Sequence, residues 1–341
     1  MNLDLGIDLG TSSVLIYAKN KGIVLNEPSI IAVKARNGEL IASGKKAYNI
    51  LGKNPDTIRT IQPLKDGVIS DYEAAHKMIR SFMQQIMKTR IVRPRVAICI
   101  PTNATEVEVL AVGDAAQNMG ARKPVYIIEE PLAAIIGCGI DISKPNGNLI
   151  IDIGGGTADI AVISLASKVI SKSVKLGGAN LSERIKKYIQ RSHSTLMGDK
   201  MIENLKYAIA DCDEHAPNEV FVAKGRNLLN GLPQVCRITR GELVPVVQGY
   251  ADQIYRAVKE VLESTPPELT SDIYSNGAVM TGGGSILSGL AGYLQDQLGF
   301  PVRVADHPVD CVAIGAGTCF KYQDCLGDGF STLDTYMDKK Y

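Results

Sequence analysis

Asp8 and Asp152 hold the same place in two look-alike stretches of the chain, GIDLGTSSVLIYA and IIDIGGGTADIAVI. Each stretch is an apolar run, an aspartate, an apolar residue, a glycine, a turn of small residues and a second apolar run. A turn of Gly10, Thr11 and Ser12, or of Gly154, Gly155, Gly156 and Thr157, points successive backbone N–H groups into one concavity, and its hydroxyls add donors. That is an anion nest, and small residues let phosphate oxygens come close to it. Consecutive glycines weaken a strand by about 0.5–1 kcal/mol each relative to alanine, so the close approach must serve something. An aspartate just ahead of each turn would by itself repel phosphate. It makes sense if hydrated Mg²⁺ lies between, because Mg²⁺ keeps several waters and is held by one or two carboxylates plus phosphates. Two such hairpins face to face would clamp a polyphosphate. A third glycine turn, TGGGS at 281–285, precedes a helical pattern and offers flat backbone to an adenosine ring. Singly, each piece has a plainer account: a tight turn, an Asx-forming aspartate, a helix N-terminus. Together, in this order and separation, they point to a nucleotide site.

The chain that must position them has 341 residues, 45% hydrophobic and 21% charged, enough for two packed cores. A net charge of +1 argues neither for nor against nucleic acid, and no nucleic-acid partner is assigned. Seven cysteines lack any CxxC or Cys/His metal spacing and read as free, mostly buried thiols of a reducing cytoplasm. MNLDLGIDL opens on a strand pattern rather than a signal peptide, and no apolar run is long enough to span a membrane.

Strand and helix patterns alternate. LDLGIDL and SVLIYAK read as a hairpin, whereas Gly22 to about Asp66 reads as a polar, loop-rich insertion. EAAHKMIRSFMQQIMK has helical spacing, RVAICIP is a strand, and PVYIIEEPLAAIIGCGI is a strand running into a helix. Residues 195–238 hold a helix and a weak strand pair. A long helix then opens at Thr239 with a T-x-x-E capping box to Glu242. DCVAIGAGTCFKYQ reads as the closing helix. The matching Asp-turn stretches suggest two related halves with a cleft between them.

On these residues the chain resembles the actin, sugar kinase and heat-shock chaperone ATPase superfamily, and within it the MreB family of bacterial actin homologues. LGIDLGTSSVLIYAKNKGIVLNEPSIIAV, RPRVAICIPTNATEVE, YIIEEPLAAIIGCGI, NLIIDIGGGTADIAVISL and MTGGGSILSGL carry the likeness, which covers essentially the whole chain. It implies an α/β, duplicated actin-like (ribonuclease H-like) fold with nucleotide between two domains. Domain I would comprise 1–147 and 316–341, with an insertion at about 33–65. Domain II would be 148–315, with an insertion at about 181–240.

The resemblance also implies roles. Asp8 and Asp152 would hold Mg²⁺ through water. Gly10, Thr11 and Ser12 would form the first phosphate loop, and Gly154, Gly155, Gly156 and Thr157 the second. Glu130, just before Pro131, would position the attacking water with help from Thr157, although alone it is also an ordinary helix-start carboxylate. Gly178 would touch the nucleotide, Glu203 and Lys206 the ribose, and Gly282, Gly283 and Gly284 the adenosine. One helical turn apart, Glu203 and Lys206 also fit a plain surface ion pair. Two departures fall on the sugar side. Ala179 stands where the family carries an acidic residue, and AIA at Ala208–Ala210 replaces its EIG.

The implied function is an ATP-dependent cytoskeletal protein with slow ATPase activity. Its filaments, at the inner face of the cell membrane, would organise peptidoglycan synthesis and rod shape. Its own copies, membrane-spanning elongation proteins and anionic lipid would be its partners. In MKTRIVRPR, Ile91 and Val92 would enter the membrane while Lys88, Arg90, Arg93 and Arg95 meet headgroups, unless the two simply begin the next strand. Two alternatives stay open: a nucleotide-binding scaffold of this fold with little turnover, and a small-molecule kinase. A chaperone ATPase would need a further substrate domain.

Overall fold

The computed structural model describes residues 4–87, 93–102, 104–118, 120–327 and 329–338. Ile91 and Val92 lie outside the described residues. Strands β1 (Asp4–Leu9), β2 (Ser13–Ala18) and β3 (Gly22–Pro28) form an antiparallel run. Next come β4 (Ile31–Lys34), β5 (Leu40–Ser43), α1 (Lys45–Ile50), β6 (Ile58–Ile61) and the short pair β7 (Leu64–Lys65) and β8 (Val68–Ile69). The first half ends with α2 (Tyr72–Met87), β9 (Arg95–Ile100), α3 (Glu106–Asn118), β10 (Tyr126–Glu129) and α4 (Glu130–Gly137).

The second half opens with β11 (Asn148–Ile153), β12 (Ala158–Ser164) and β13 (Ser167–Val174). It continues through α5 (Gly178–His193), β14 (Thr195–Leu196), α6 (Asp199–Ile209), β15 (Val220–Asn227) and β16 (Pro233–Thr239). Then follow α7 (Arg240–Glu263), α8 (Pro267–Asn276), β17 (Ala278–Thr281), α9 (Leu290–Leu298) and β18 (Val302–Val304). The chain returns to the first half with α10 (Cys311–Thr318), β19 (Phe330–Thr332) and α11 (Leu333–Asp338).

Two mixed sheets organise the molecule. The first has strand order β19-β10-β9-β1-β2-β3, the second β13-β12-β11-β17-β18. Five strands of the first match the five of the second in order, and β19 is the extra edge strand. β1 and β11 each pair antiparallel with the next strand and parallel with a later one, β9 or β17. The repeated Asp-turn motif is thus the same hairpin at the same place in two sheets.

Strand alternation decides what faces the cleft. Leu149, Ile151 and Ile153 of β11 join the core under α5 and α7, while Ile150 joins the core around α4. Asp152 therefore shares the α4 side with Ile150. Helices α4 and α10 lie between the sheets, backbone against backbone. A Cβ on Gly315 would sit 1.7 Å from Ala133 O, and one on Gly137 1.9 Å from Cys311 O. The whole of α10 packs on α4, β1 and β2, with Gly317 against Gly6 and Tyr17.

Three sequence expectations need correction. Residues 22–66 are not mainly loop: β3 joins the first sheet, and β5-β4-β6 form a sheet of their own beneath α1. Those strands are four residues long and bury a core of only Ile30, Ala32 and Ala47, so their alternation is faint. The weak strand pair is a three-stranded sheet, β14-β15-β16, paired in register from Val220↔Thr239 to Arg226↔Pro233. Its inward positions include Ala223 and Gly225, which give little apolar signal. DCVAIGAGTCFKYQ does not close the fold, because β19 pairs antiparallel with β10 beyond it. The capping box holds: Thr239 N donates to Glu242 Oε2 at 2.6 Å, and Glu242 N to Thr239 Oγ1 at 3.3 Å. All seven cysteines are free, and Cys325 is the exposed one. No helix among the described residues is long and apolar enough to cross a membrane.

Candidate functional site

The two hairpin turns meet in the cleft. A Cβ on Gly155 would lie 2.1 Å from Ser12 Oγ, and one on Gly156 2.6 Å from Thr11 Oγ1. Glycine is required here for contact between the loops, as well as for anything bound between them. Ser29 donates to Gly10 O at 2.6 Å and fixes the first turn to β3. Gly154 N–H donates to Thr157 O at 2.9 Å and closes the second. Among the described residues, the N–H groups of Thr11, Ser12, Gly155 and Gly156 donate to no backbone carbonyl. That is the donor set an anion nest needs.

The start of α5 supports the second loop from behind. Gly178 N–H donates to Gly154 O at 3.0 Å, and Ala179 N–H to Gly155 O at 2.9 Å. Gly178 is at the site, but its N–H is engaged with the loop. Its carbonyl accepts from Lys206 Nζ at 3.2 Å. Lys206 also donates to Ser182 Oγ at 2.9 Å and pairs with Glu203 at 2.8 Å, while the Ser182 hydroxyl donates to Glu203. The pair is therefore no loose surface bridge: Lys206 keeps only 10% of its side chain exposed. Ala179 and Ala208, exposed nearby, add no polar group.

The third glycine turn divides its labour. A Cβ on Gly282 would lie 2.4 Å from Ile153 O, and one on Gly284 2.3 Å from Ile153 Cγ2. Both are small so that the turn can pack on β11. Gly283 faces open space, with nothing within 4 Å of its would-be Cβ. Further along the turn, Ser285, Ile286, Leu287 and Val304 help to line an open hollow of about 460 Å³.

Four carboxylates converge on this cleft. Asp8 is half-buried, and desolvation with the nearby Asp152 charge pushes it up to about 8. Asp152 rises to about 7 through burial, although Thr281 donates to its Oδ1 at 2.7 Å and holds it down. Asp159, opposite Asp152 in the hairpin, is pushed up to about 6 by burial. Glu130 stands at the start of α4. Burial raises it well above the ordinary carboxylate range, and Asp159, Asp8 and Asp152 add to the rise. Its neighbour Glu129 differs, because Lys168 from the other half holds it at 2.7 Å. A cation between Asp8 and Asp152 would relieve their mutual repulsion. Among the described residues no three of these or other acidic, histidine or cysteine side chains are placed to grip one ion directly, so the donors fit Mg²⁺ held largely through its own waters.

Sequence reasoning missed several parts of the site. Asp66 and Gly67, both at positive φ, form a turn wedged against both loops. Gly67 N–H donates to Thr11 Oγ1 at 3.0 Å, and a Cβ on Gly156 would meet Asp66 Cα at 2.9 Å. The Asp-Gly pair in LKDGVIS was the available signal. Thr281, Ser182 and Asp159 gave none beyond their neighbours. At the cleft mouth, Lys200 of α6 sits 4.5 Å over the ring of Tyr48 in α1, joining the two insertions.

Comparison with known proteins agrees with this geometry. The family model described as MreB/Mbl protein matches residues 2–327. The cell shape-determining protein Mbl of Bacillus subtilis (strain 168) is 43% identical over 324 residues, 95% of this chain and 97% of that protein. The cell shape-determining protein MreB of Escherichia coli (strain K12) is 42% identical over 330 residues, 95% of each. The crystal structure of MreB5 of Spiroplasma citri bound to ADP superposes with a TM-score of 0.89 at 35% identity, covering 96% of this chain and 99% of that one.

Proposed function

The chain belongs to the MreB/Mbl family and has its two-domain actin-like fold, and on that premise we propose that it is an ATP-dependent cytoskeletal protein. It binds ATP with Mg²⁺ in the cleft and assembles with its own copies into filaments. At the inner face of the cell membrane, with membrane-spanning elongation proteins and anionic lipid as partners, the filaments organise peptidoglycan synthesis and maintain rod shape. Slow hydrolysis of ATP and water to ADP and phosphate weakens contacts between subunits. The domain limits that go with this reading are those expected above, save that α10 belongs whole to domain I.

The observation that carries the proposal is the meeting of two glycine hairpins at Gly155 and Ser12, each with an aspartate behind it, Asp152 buried and Asp8 half-buried. Mg²⁺ would supply positive charge to the phosphates there, with Asp8 and Asp152 as its anchors. The loop N–H groups bind and orient the phosphates. Glu130, unlike its neighbour Glu129, has no cation paired with it among the described residues, which suits it to orient a water and take its proton. One observation favours the scaffold alternative: Ala179 and Ala208 leave the sugar side without the family's polar groups, so binding could persist with little turnover.

Assembly draws support from the β15–β16 hairpin. Its tip carries Leu228, Leu229 and Leu232 in solvent, with Leu229 85% exposed, and a second copy would cover them. Electron microscopy of purified protein with Mg-ATP, with and without anionic liposomes, tests the proposal against a nucleotide-free control. Nucleotide-dependent filaments or lipid-bound sheets are expected. Monomers under every condition, with ATP bound, would overturn it in favour of the scaffold or a kinase.

A further inference from the structure

Cys99, Cys138, Cys311 and Cys319 gather in the core between the two sheets. Two of them touch: the sulfurs of Cys138 and Cys311 lie 3.7 Å apart, although the residues are distant in the chain. Their places in the fold are particular. The chain leaves the first sheet through α4 and reaches β11 of the second; it leaves the second at β18 and returns through α10. Cys138 caps α4 at the first crossing, and Cys311 opens α10 at the second. The backbones already meet there, since a Cβ on Gly137 would lie 1.9 Å from Cys311 O.

The two thiols differ in the way an oxidation pair needs. Cys138 is half-buried beside the exposed Gly139, and Cys311 is buried. Hydrogen bonding with Cys311 holds the Cys138 thiol below its ordinary range against burial, and the Arg303 charge adds to the lowering. The same contact, with burial, pushes the Cys311 thiol up. Cys99 and Cys319 instead donate to the carbonyls of Val312 and Ala316, and burial pushes both thiols up. A redox-active cysteine is a thiolate within reach of solvent, set beside a second thiol that resolves it. Inside a cell thiol pools reduce such a bond again, so it forms transiently.

We propose that Cys138 and Cys311 are a modification site for hydrogen peroxide, at which a reversible disulfide ties the two crossings together and restrains the sheets against each other. The Cys138 thiolate attacks one peroxide oxygen. The O–O bond breaks, and its electron pair leaves with the other oxygen, which takes up the proton Cys138 had released and departs as water. Cys138 is then a sulfenic acid. The Cys311 sulfur attacks the Cys138 sulfur, the S–O bond breaks, and the hydroxyl leaves with the Cys311 proton as a second water. The thiol pair loses two electrons and the peroxide gains them. On the reading of the cleft as a nucleotide site, the tied crossings slow nucleotide release.

Full-length protein carrying Cys325→Ser, which removes the exposed thiol, is treated with hydrogen peroxide, its remaining thiols are alkylated and its peptides are mapped by mass. A linked pair of peptides carrying Cys138 and Cys311, lost on adding dithiothreitol, is expected. The thermal midpoint should rise with the link, because the bond closes a long stretch of chain. Release of fluorescent ADP should slow by about tenfold, as where opening of a cleft gates the exit, and recover with dithiothreitol. Adding Cys138→Ser should abolish the link, the rise and the slowing. No linked pair, a linked pair that leaves release unchanged, or equal slowing with Cys138→Ser present would overturn the inference. Failure of the untreated protein to bind nucleotide would overturn the nucleotide reading alone, because the peptide map and the midpoint then decide this inference by themselves.

Discussion

The Thr281 hydroxyl donates to Asp152 Oδ1 at 2.7 Å, so the strand leading into the third glycine turn fixes the carboxylate ahead of the second. The two residues are register partners in the parallel pair β11–β17. The bond favours the charged form of Asp152 against burial. Thr281→Val keeps the shape and removes the donor, so Asp152 should hold its proton to higher pH. A hydrogen bond to a charged group contributes roughly 1.5–3 kcal/mol, so Mg²⁺ dependence of nucleotide binding at neutral pH should weaken by about tenfold or more. Calorimetric titration with Mg²⁺ checks this; an unchanged Mg²⁺ requirement would mean that the bond does not prepare the carboxylate.

Stability without metal should depend on pH in a definite direction. Asp8, Asp152 and Asp159 stand at about 8, 7 and 6, above an ordinary 3.8. The folded state therefore holds protons that the unfolded chain releases. Their contribution is full below 3.8 and is lost as pH rises through the folded-state values. In chelator the thermal midpoint should decline from about pH 4 to about pH 8, and Mg-ATP should raise it most at the upper end. Asp8→Asn should flatten the decline. The same slope in that variant would remove Asp8 as its source.

The adjacent glutamates of EEP should behave differently. Glu130→Gln should lower hydrolysis by roughly 10²–10⁴-fold and leave nucleotide bound. Glu129→Gln breaks the pair with Lys168 but should change turnover by less than about tenfold. Phosphate-release assays on the two variants decide. Equal losses would mean that the Lys168 pair does not separate their roles.

Gly155→Ala places a methyl 2.1 Å from Ser12 Oγ and 3.0 Å from Ser12 N, so the two loops must part. Overpacking of this kind costs about 1–3 kcal/mol, or roughly 10–10²-fold in nucleotide affinity if it falls on the bound state. Gly283→Ala has no such clash and should leave the fold untouched, whatever it does to adenosine. Nucleotide titration of both separates crowding between the loops from crowding of the ligand.

Leu229→Asp should abolish filaments at a concentration where the unaltered chain forms them. Nucleotide affinity should not move, and an exposed site of this kind changes stability by only about ±0.5 kcal/mol. Light scattering and sedimentation with Mg-ATP read the outcome. Filaments at the usual threshold would take the hairpin tip out of the subunit contact.

Much of this protein was legible in its residues, and the limits follow from what local sequence encodes. The Asp–turn hairpins at Asp8 and Asp152, the long capped helix from Thr239 and the alternation of strands and helices all rest on near-neighbour patterns: period 2, period 3.6, glycine at turns. Those signals lie within a few residues of where they act, and the repeat of the hairpin was enough to suggest two halves. Tertiary structure alone decided which groups from distant parts of the chain meet. Lys168 neutralises Glu129 and leaves Glu130 uncompensated. Gly282 and Gly284 are small for Ile153, while Gly283 faces open space. The Asp66–Gly67 turn reaches both loops, and β19 completes the first sheet beside β10. Charge state and close approach depend on what surrounds a group in three dimensions, and no spacing along the chain records that.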